Sequence, residues 1–237
     1  MKKAVILLLV LCVCLPGTGW AQERKVNLGD LIRETQQQNL SPEKMSIIWW
    51  IPLQFWQISL KQNGALSNEA IDKLLSVLRP YLFLVVAEGN VGPVGDITYK
   101  SEETLRTGLK VLDARGRSYE PLPSDKVSED VNNFVQMMRP ILSGGMGPFG
   151  ENLRFFLFPA RDSAGVEIAD AVSDNDFDVQ LGERRFHWRL PLGSLLPPKV
   201  CPDDGELLNG AWTYCPWHGT KLKPLEAPAA PAKSAPG

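Results

Sequence analysis

Two different apolar patterns in one chain constrain its fold more than any other feature. Phe177, Val179 and Leu181 alternate with polar residues, and Phe186, Trp188 and Leu190 do the same. Successive side chains of a strand point to opposite faces, so alternation of this kind describes strands with one wet face. Residues 81–87 read Tyr-Leu-Phe-Leu-Val-Val-Ala with no polar break, and residues 153–158 are almost as apolar. Runs like these describe buried strands. A third pattern is helical: Ile71, Leu74, Leu75 and Leu78 behind Ser67, then Val131, Phe134, Val135 and Met138 behind Ser128. Hydrophobes at i, i+3, i+4 and i+7 form one stripe of a helix, and serine before the stripe is a cap. Together these predict an α+β protein, with two or three helices packed on an antiparallel sheet or β-sandwich spanning residues 81–190.

The chain of 237 residues begins with Lys2 and Lys3, an apolar run over residues 4–15, and Pro16-Gly-Thr-Gly-Trp-Ala21. A positive start, a short apolar core and small residues before a cut are the parts of a secretory leader. The run falls short of the roughly 20 residues that span a bilayer. Cleavage after Ala21 is expected, which predicts a periplasmic or secreted protein with no stable membrane span. Cys12 and Cys14 leave with the leader, and the bulky Leu11 and Val13 before them do not suit a lipoprotein cut. Loss of the two lysines leaves 23 basic against 27 acidic residues. That balance excludes general nucleic-acid binding, which depends on a basic face.

The expected organisation is a leader over 1–21, a helical and aromatic segment over 22–64, an α+β core over 65–199, a small knuckle over 200–222 and a disordered tail over 223–237. Within the second segment a short helix is expected from Asn27 to Gln38, and Ser41-Pro42-Glu43 carries the cap, proline and acid of another helix start. Residues 47–56 are the densest aromatic cluster, with Trp49, Trp50 and Trp56. Pro52 forbids regular structure across it, so an extended entry should give way to a helix from Pro52 to Gln62, ended by Asn63-Gly64. The three rings are read first as core anchors. The alternative is a docking surface for an envelope protein partner. Ile97–Tyr99 is a short strand, and residues 109–112 and 118–122 flank a hairpin turn at 113–116. Arg79-Pro80 and Arg139-Pro140 each close a helix, and Gly-Pro-x-Gly-acid follows both, a faint sign of duplication.

Several catalytic readings fail on their own residues. There is no Gly-x-Ser-x-Gly elbow. Asp174-Asn-Asp176-Phe-Asp178 opens like a calcium loop but has Val179 and Arg185 where glycine and glutamate are required. The glycine-rich stretch 143–150 lacks a following Gly-Lys-Ser/Thr and reads as a flexible loop or lid. His187 reads as a surface residue between Arg185 and Arg189.

One stretch suggests chemistry beyond packing: Cys201-Pro-Asp-Asp-Gly205, echoed by Cys215-Pro-Trp-His-Gly-Thr-Lys-Leu222. Over about 22 residues this resembles a zinc ribbon, whose half-sites are Cys-Pro-x-Cys-Gly knuckles. The resemblance implies metal-ligand positions at Cys201, Asp204, Cys215 and His218, two of them departing from cysteine. Histidine is an ordinary zinc ligand and carboxylate a less usual one. The resemblance also implies that Cys201 and Cys215 sit close enough to bridge, and export favours a disulfide. Disulfide without metal, zinc, and free thiols stay open in that order, so no cofactor is the first reading and zinc the second. The second half also resembles one box of a Rieske protein, but Asp203 stands where the other box needs histidine. The functional reading is an exported, non-enzymatic binding or structural module; the alternative is an envelope hydrolase or redox enzyme with a site built from dispersed residues.

Overall fold

A computed structural model describes residues 26–144 and 150–225. The expected leader, the middle of the glycine-rich stretch and residues 226–237 lie outside them.

The fold is α+β, with antiparallel sheets throughout. The first helix, α1 (Leu28–Thr35), is capped by Asn27, whose side chain accepts the Gly29 N–H at 2.8 Å. It stops short of Gln38, because the chain extends into β1 (Gln36–Leu40) and forms a hairpin with β2 (Lys44–Ile51). The expected helix start at Ser41 is instead the hairpin turn. Ser41 N–H donates to Lys44 O at 2.8 Å, and Ser41 Oγ accepts Lys44 N–H at 3.1 Å. Serine followed by proline serves a turn as well as a helix start, because proline's fixed φ suits the first central turn position.

From Pro52 onward the elements follow the sequence pattern closely. The helix α2 (Leu53–Asn63) ends at Gly64, whose φ of +70° is the left-handed cap that glycine adopts freely. Ser67 caps α3 (Asn68–Leu78), which leads into β3 (Tyr81–Val91) and β4 (Ile97–Tyr99). An unforeseen short helix, α4 (Glu102–Gly108), is capped by Ser101. The hairpin β5 (Leu109–Asp113) and β6 (Ser118–Tyr119) comes next, then α5 (Glu129–Ser143). That helix runs through Pro140 instead of ending before it, and Gly144 N–H closes on Pro140 O at 2.9 Å. The two Arg-Pro pairs are therefore not equivalent. The body of the protein closes with β7 (Arg154–Pro159), β8 (Asn175–Leu181) and β9 (Arg184–Leu190).

Eleven-residue β3 is the spine of a five-stranded sheet. It pairs with β2 along one side, and shares the other between β7 at Tyr81–Val86 and β4 at Gly89–Val91. A four-stranded sheet runs β6-β5-β8-β9. Register assigns the faces, since residues directly opposite in neighbouring strands share a side. Trp50, Leu84 and Phe156 are aligned on one face, and Trp49, Val85 and Phe155 on the other. On the first face Trp50 meets Phe177 of β8 edge-on at 4.9 Å, and Phe177 stacks on Trp188 of β9 at 5.2 Å. On the second, Trp49 meets Phe55 of α2, and neighbouring Trp56 meets Phe134 of α5 at 5.0 Å. The layers are helices, five-stranded sheet, four-stranded sheet. Strands β2, β3 and β7 are covered on both faces and carry unbroken apolar runs, whereas β8 and β9 have a wet face and alternate. The segment before residue 65 contributes α1, β2 and α2 to this one core, and β1 adds an outer strand beside β2.

Arg117 fastens two turns of the body together. Its Nε donates to Asp113 Oδ2 at 2.7 Å, and its Nη2 donates to Asp162 Oδ2. Asp162 Oδ1 also accepts the Ala164 and Val166 N–H groups at 2.9 and 2.8 Å. Arg117 and those amides hold the Asp162 carboxyl below its ordinary value. Burial pushes Asp113 up, but the Arg117 amide and guanidinium, the Tyr119 hydroxyl and the Arg115 amide more than offset it. Among the described residues no helix is long and apolar enough to cross a membrane.

Candidate metal centre

The chain leaves the body through Pro197-Pro198 into a three-stranded sheet of two-residue strands, β10 (Lys199–Val200), β11 (Leu207–Leu208) and β12 (Lys223–Pro224). Its order is β11-β10-β12, which puts Pro224 on an edge, where its missing N–H costs no ladder bond. The sheet therefore extends two residues into the stretch expected to be tail.

Each Cys-Pro turn is built the same way. In the first, Gly205 N–H donates to Cys201 O at 2.9 Å and Cys201 N–H to Glu206 O at 2.9 Å. In the second, Gly219 N–H donates to Cys215 O at 2.9 Å and Cys215 N–H to Thr220 O at 2.8 Å. Gly205 and Gly219 take φ of +76° and +69°, which reverses the chain without a Cβ clash. The turns aim backbone donors at sulfur: the Asp203 and Asp204 amides at Cys201, the Trp217 and His218 amides at Cys215. Leu208 and Leu222 bury both cysteines in a small core of their own.

Three of the four ligand positions implied by the zinc-ribbon resemblance converge. Cys201 and Cys215 are free thiols, and their Sγ atoms lie 3.4 and 3.5 Å from His218 Nδ1. The three donor atoms all lie within 4.8 Å of one another, near enough for one metal ion. The fourth position is close by, with Asp204 Oδ2 at 3.8 Å from His218 Nδ1. Asp203 comes to 4.0 Å, but its Oδ2 is engaged by the Thr220 hydroxyl at 2.6 Å. Asp204 uses Oδ1 for the Glu206 N–H at 3.0 Å, which leaves Oδ2 turned to the histidine.

The electrostatics divide the two thiols. Burial pushes Cys201 up, and its amide donors do not overcome it. Burial also pushes Cys215 up, but the His218 and Trp217 amides, together with the Cys201 and His218 side chains, outweigh it and bring this thiol below its ordinary value. His218 is raised, first by its hydrogen bond to Cys215 and then, against burial, by Asp204 and Asp203. Without metal the cluster thus favours thiolate at Cys215, the form a metal binds, and imidazolium at His218, which must give up its proton to ligate.

One carboxylate joins this module to the body. Glu34 of α1 accepts the Ser194 N–H at 2.9 Å and hydroxyl at 2.6 Å through Oε2, and the Asn209 side-chain amide at 2.9 Å through Oε1. Nothing in the sequence marked Glu34 or Asn209, because they lie 175 residues apart. The other flagged residues are scattered. Trp49, Trp50 and Trp56 are buried to 6, 1 and 1 % exposure, which fits their first reading as core anchors and leaves the alternative docking surface without exposed rings. His187 is exposed and paired with Asp178 at 2.8 Å. Among the described residues the exposed rings are Trp212, Tyr214 and Trp217, inside the knuckle module. Aromatic residues beside a Cys-Pro turn were the signal for them, masked by the denser cluster upstream.

No protein-family model matches the chain, and neither a curated protein nor a solved structure matches it.

Proposed function

We propose that residues 199–225 are a metal-stabilised clasp and that the chain is an exported, non-enzymatic binding or structural module. Cys201, Cys215 and His218 would hold zinc, with Asp204 completing the tetrahedron. The observation that carries this reading is the equal placement of both sulfurs about His218 Nδ1, at 3.4 and 3.5 Å. Zinc–sulfur bonds of about 2.3 Å and a zinc–nitrogen bond of about 2.0 Å at the tetrahedral angle imply a sulfur–nitrogen separation of about 3.5 Å. A disulfide alone would give His218 no reason to sit equidistant from both sulfurs. With four protein donors and a short sheet around it, such a site is closed, which suits structure rather than catalysis. Export is supported by the leader-like pattern of Lys2, Lys3, the apolar run and Ala21.

Native mass spectrometry and elemental analysis of protein refolded with zinc under reducing conditions test the site. One zinc per chain is expected, lost in Cys215→Ser and His218→Ala and weakened in Asp204→Asn. A metal-free chain with a two-hydrogen deficit after air oxidation would replace the metal with a disulfide.

A further inference from the structure

We infer that the aromatic surface of the knuckle module is the docking site of this chain's own C-terminal segment, residues 226–237. Among the described residues every buried or half-buried aromatic ring belongs to the body, and the large exposed rings are Trp212, Tyr214 and Trp217, at 45, 60 and 73 % exposure. All three fall within six consecutive residues of the module. Exposed rings concentrated in this way mark a surface that another group covers.

The remaining chain supplies an occupant of matching chemistry. Residues 226–237 read Glu-Ala-Pro-Ala-Ala-Pro-Ala-Lys-Ser-Ala-Pro-Gly, with Pro228-Ala-Ala-Pro231 as a Pro-x-x-Pro core. Segments of that pattern favour the polyproline II conformation and dock on aromatic-lined surfaces, with proline rings against indole and phenol faces.

The route is short enough. Tyr214 forms a β-bridge with Lys221, and Leu222 N–H donates to Thr213 O at 3.0 Å. The strand that leads to the last described residue, Leu225, therefore runs directly beside the ring-bearing segment. Four residues of strand separate Lys221 from Leu225, about 13 Å. Pro228 and Pro231 lie three and six residues further on, within about 9–19 Å at polyproline rise. The Pro-x-x-Pro core is thus long enough to span the distance back to Tyr214. Tethering through so short a connection gives a local concentration of order millimolar, so contacts too weak to act between separate chains hold within one. The inference goes beyond the metal clasp and is tested at one fixed metal content, so failure of either leaves the other standing.

Indole N–H signals of the six tryptophans after residue 21 provide the readout, with Trp212 and Trp217 assigned by conversion to Phe. Truncation after Leu225 should shift the Trp212 and Trp217 signals and leave Trp49, Trp50, Trp56 and Trp188 in place. The full-length double variant Pro228→Gly/Pro231→Gly should reproduce those shifts, which keeps the test valid if truncation harms folding. Unchanged indole signals in the double variant overturn the inference. A shift that disappears on dilution also overturns it, since the segment would then lie on a second copy.

Discussion

Replacing Trp50 with alanine separates a core ring from a docking ring. Trp50 is 1 % exposed, lies opposite Leu84 in β3, and meets Phe177 edge-on at 4.9 Å across the joint between the two sheets. Truncating a buried aromatic to alanine typically costs about 3–5 kcal/mol, counting lost transfer and the cavity left behind. The edge-to-face pair accounts for about 0.5–1.5 kcal/mol of that. A domain of this size holds about 5–15 kcal/mol in total, so one substitution should remove about a fifth or more of it. At roughly 2–4 °C per kcal/mol the melting temperature should fall by about 6–20 °C. Urea titration followed by far-ultraviolet circular dichroism gives the free energy, and Val94→Ala, at a position 90 % exposed, provides a control expected within about 0.5 kcal/mol of wild type. A double-mutant cycle with Phe177→Ala should show coupling of about 0.5 kcal/mol or more. The layered arrangement is refuted if Trp50→Ala costs less than about 1 kcal/mol, or if the two substitutions are strictly additive.

Three further outcomes follow from the same structure. Thr35→Val should cost about 1–3 kcal/mol, because Thr35 Oγ1 is the buried acceptor for Trp49 Nε1 at 3.1 Å and valine orphans that N–H; Thr35→Ser should recover most of it. Acid should weaken the body through Asp113 and Asp162. Their folded-state values lie below the unfolded value near 3.9, so their contribution is complete above about pH 4 and is lost as pH falls through the depressed values. Arg117→Leu should remove that stabilisation and raise the acid midpoint in a pH titration of ellipticity, and an unchanged midpoint would exclude Arg117 as the cause. Gly219→Ala forces a left-handed conformation on a residue with a Cβ, at about 1–2 kcal/mol, and should weaken zinc retention in a chelator competition. Gly165→Ala, at a similar φ in the body, should leave zinc retention untouched.

The legible parts of the fold were those written in local patterns. Burial on two faces leaves unbroken apolar runs, as at 81–87, and burial on one leaves alternation, as in β8 and β9. Helices with a serine cap and an i, i+3, i+4, i+7 stripe were equally plain, as α3 shows. Errors arose where one signal serves two structures. Ser41-Pro42 begins helices and turns alike, and β1, with Gln36, Gln37 and Gln38, carries no apolar period to betray a strand. Pro140 shows the reverse case, in which α5 continues past a breaker because Val131, Phe134 and Val135 already anchor it. At the candidate site the four ligand positions were readable because knuckle spacing is local. The Glu34 tether and the Asp113–Arg117–Asp162 link were not, since they join residues with no sequence relation.

The paired turns also have a consequence for the unfolded chain. Cys201 and Cys215 bracket a loop of about 15 residues, and closing a loop of that length removes about 3 kcal/mol of entropy from the denatured ensemble. The stretch inside it, residues 202–214, contains the two-residue β11, the Leu208 contact and the Asn209 hydrogen bond to Glu34, with little apolar burial of its own. A covalent or coordinate link at the sulfurs would therefore act mainly on disorder that never forms, and the module's persistence would follow redox or metal supply more closely than temperature.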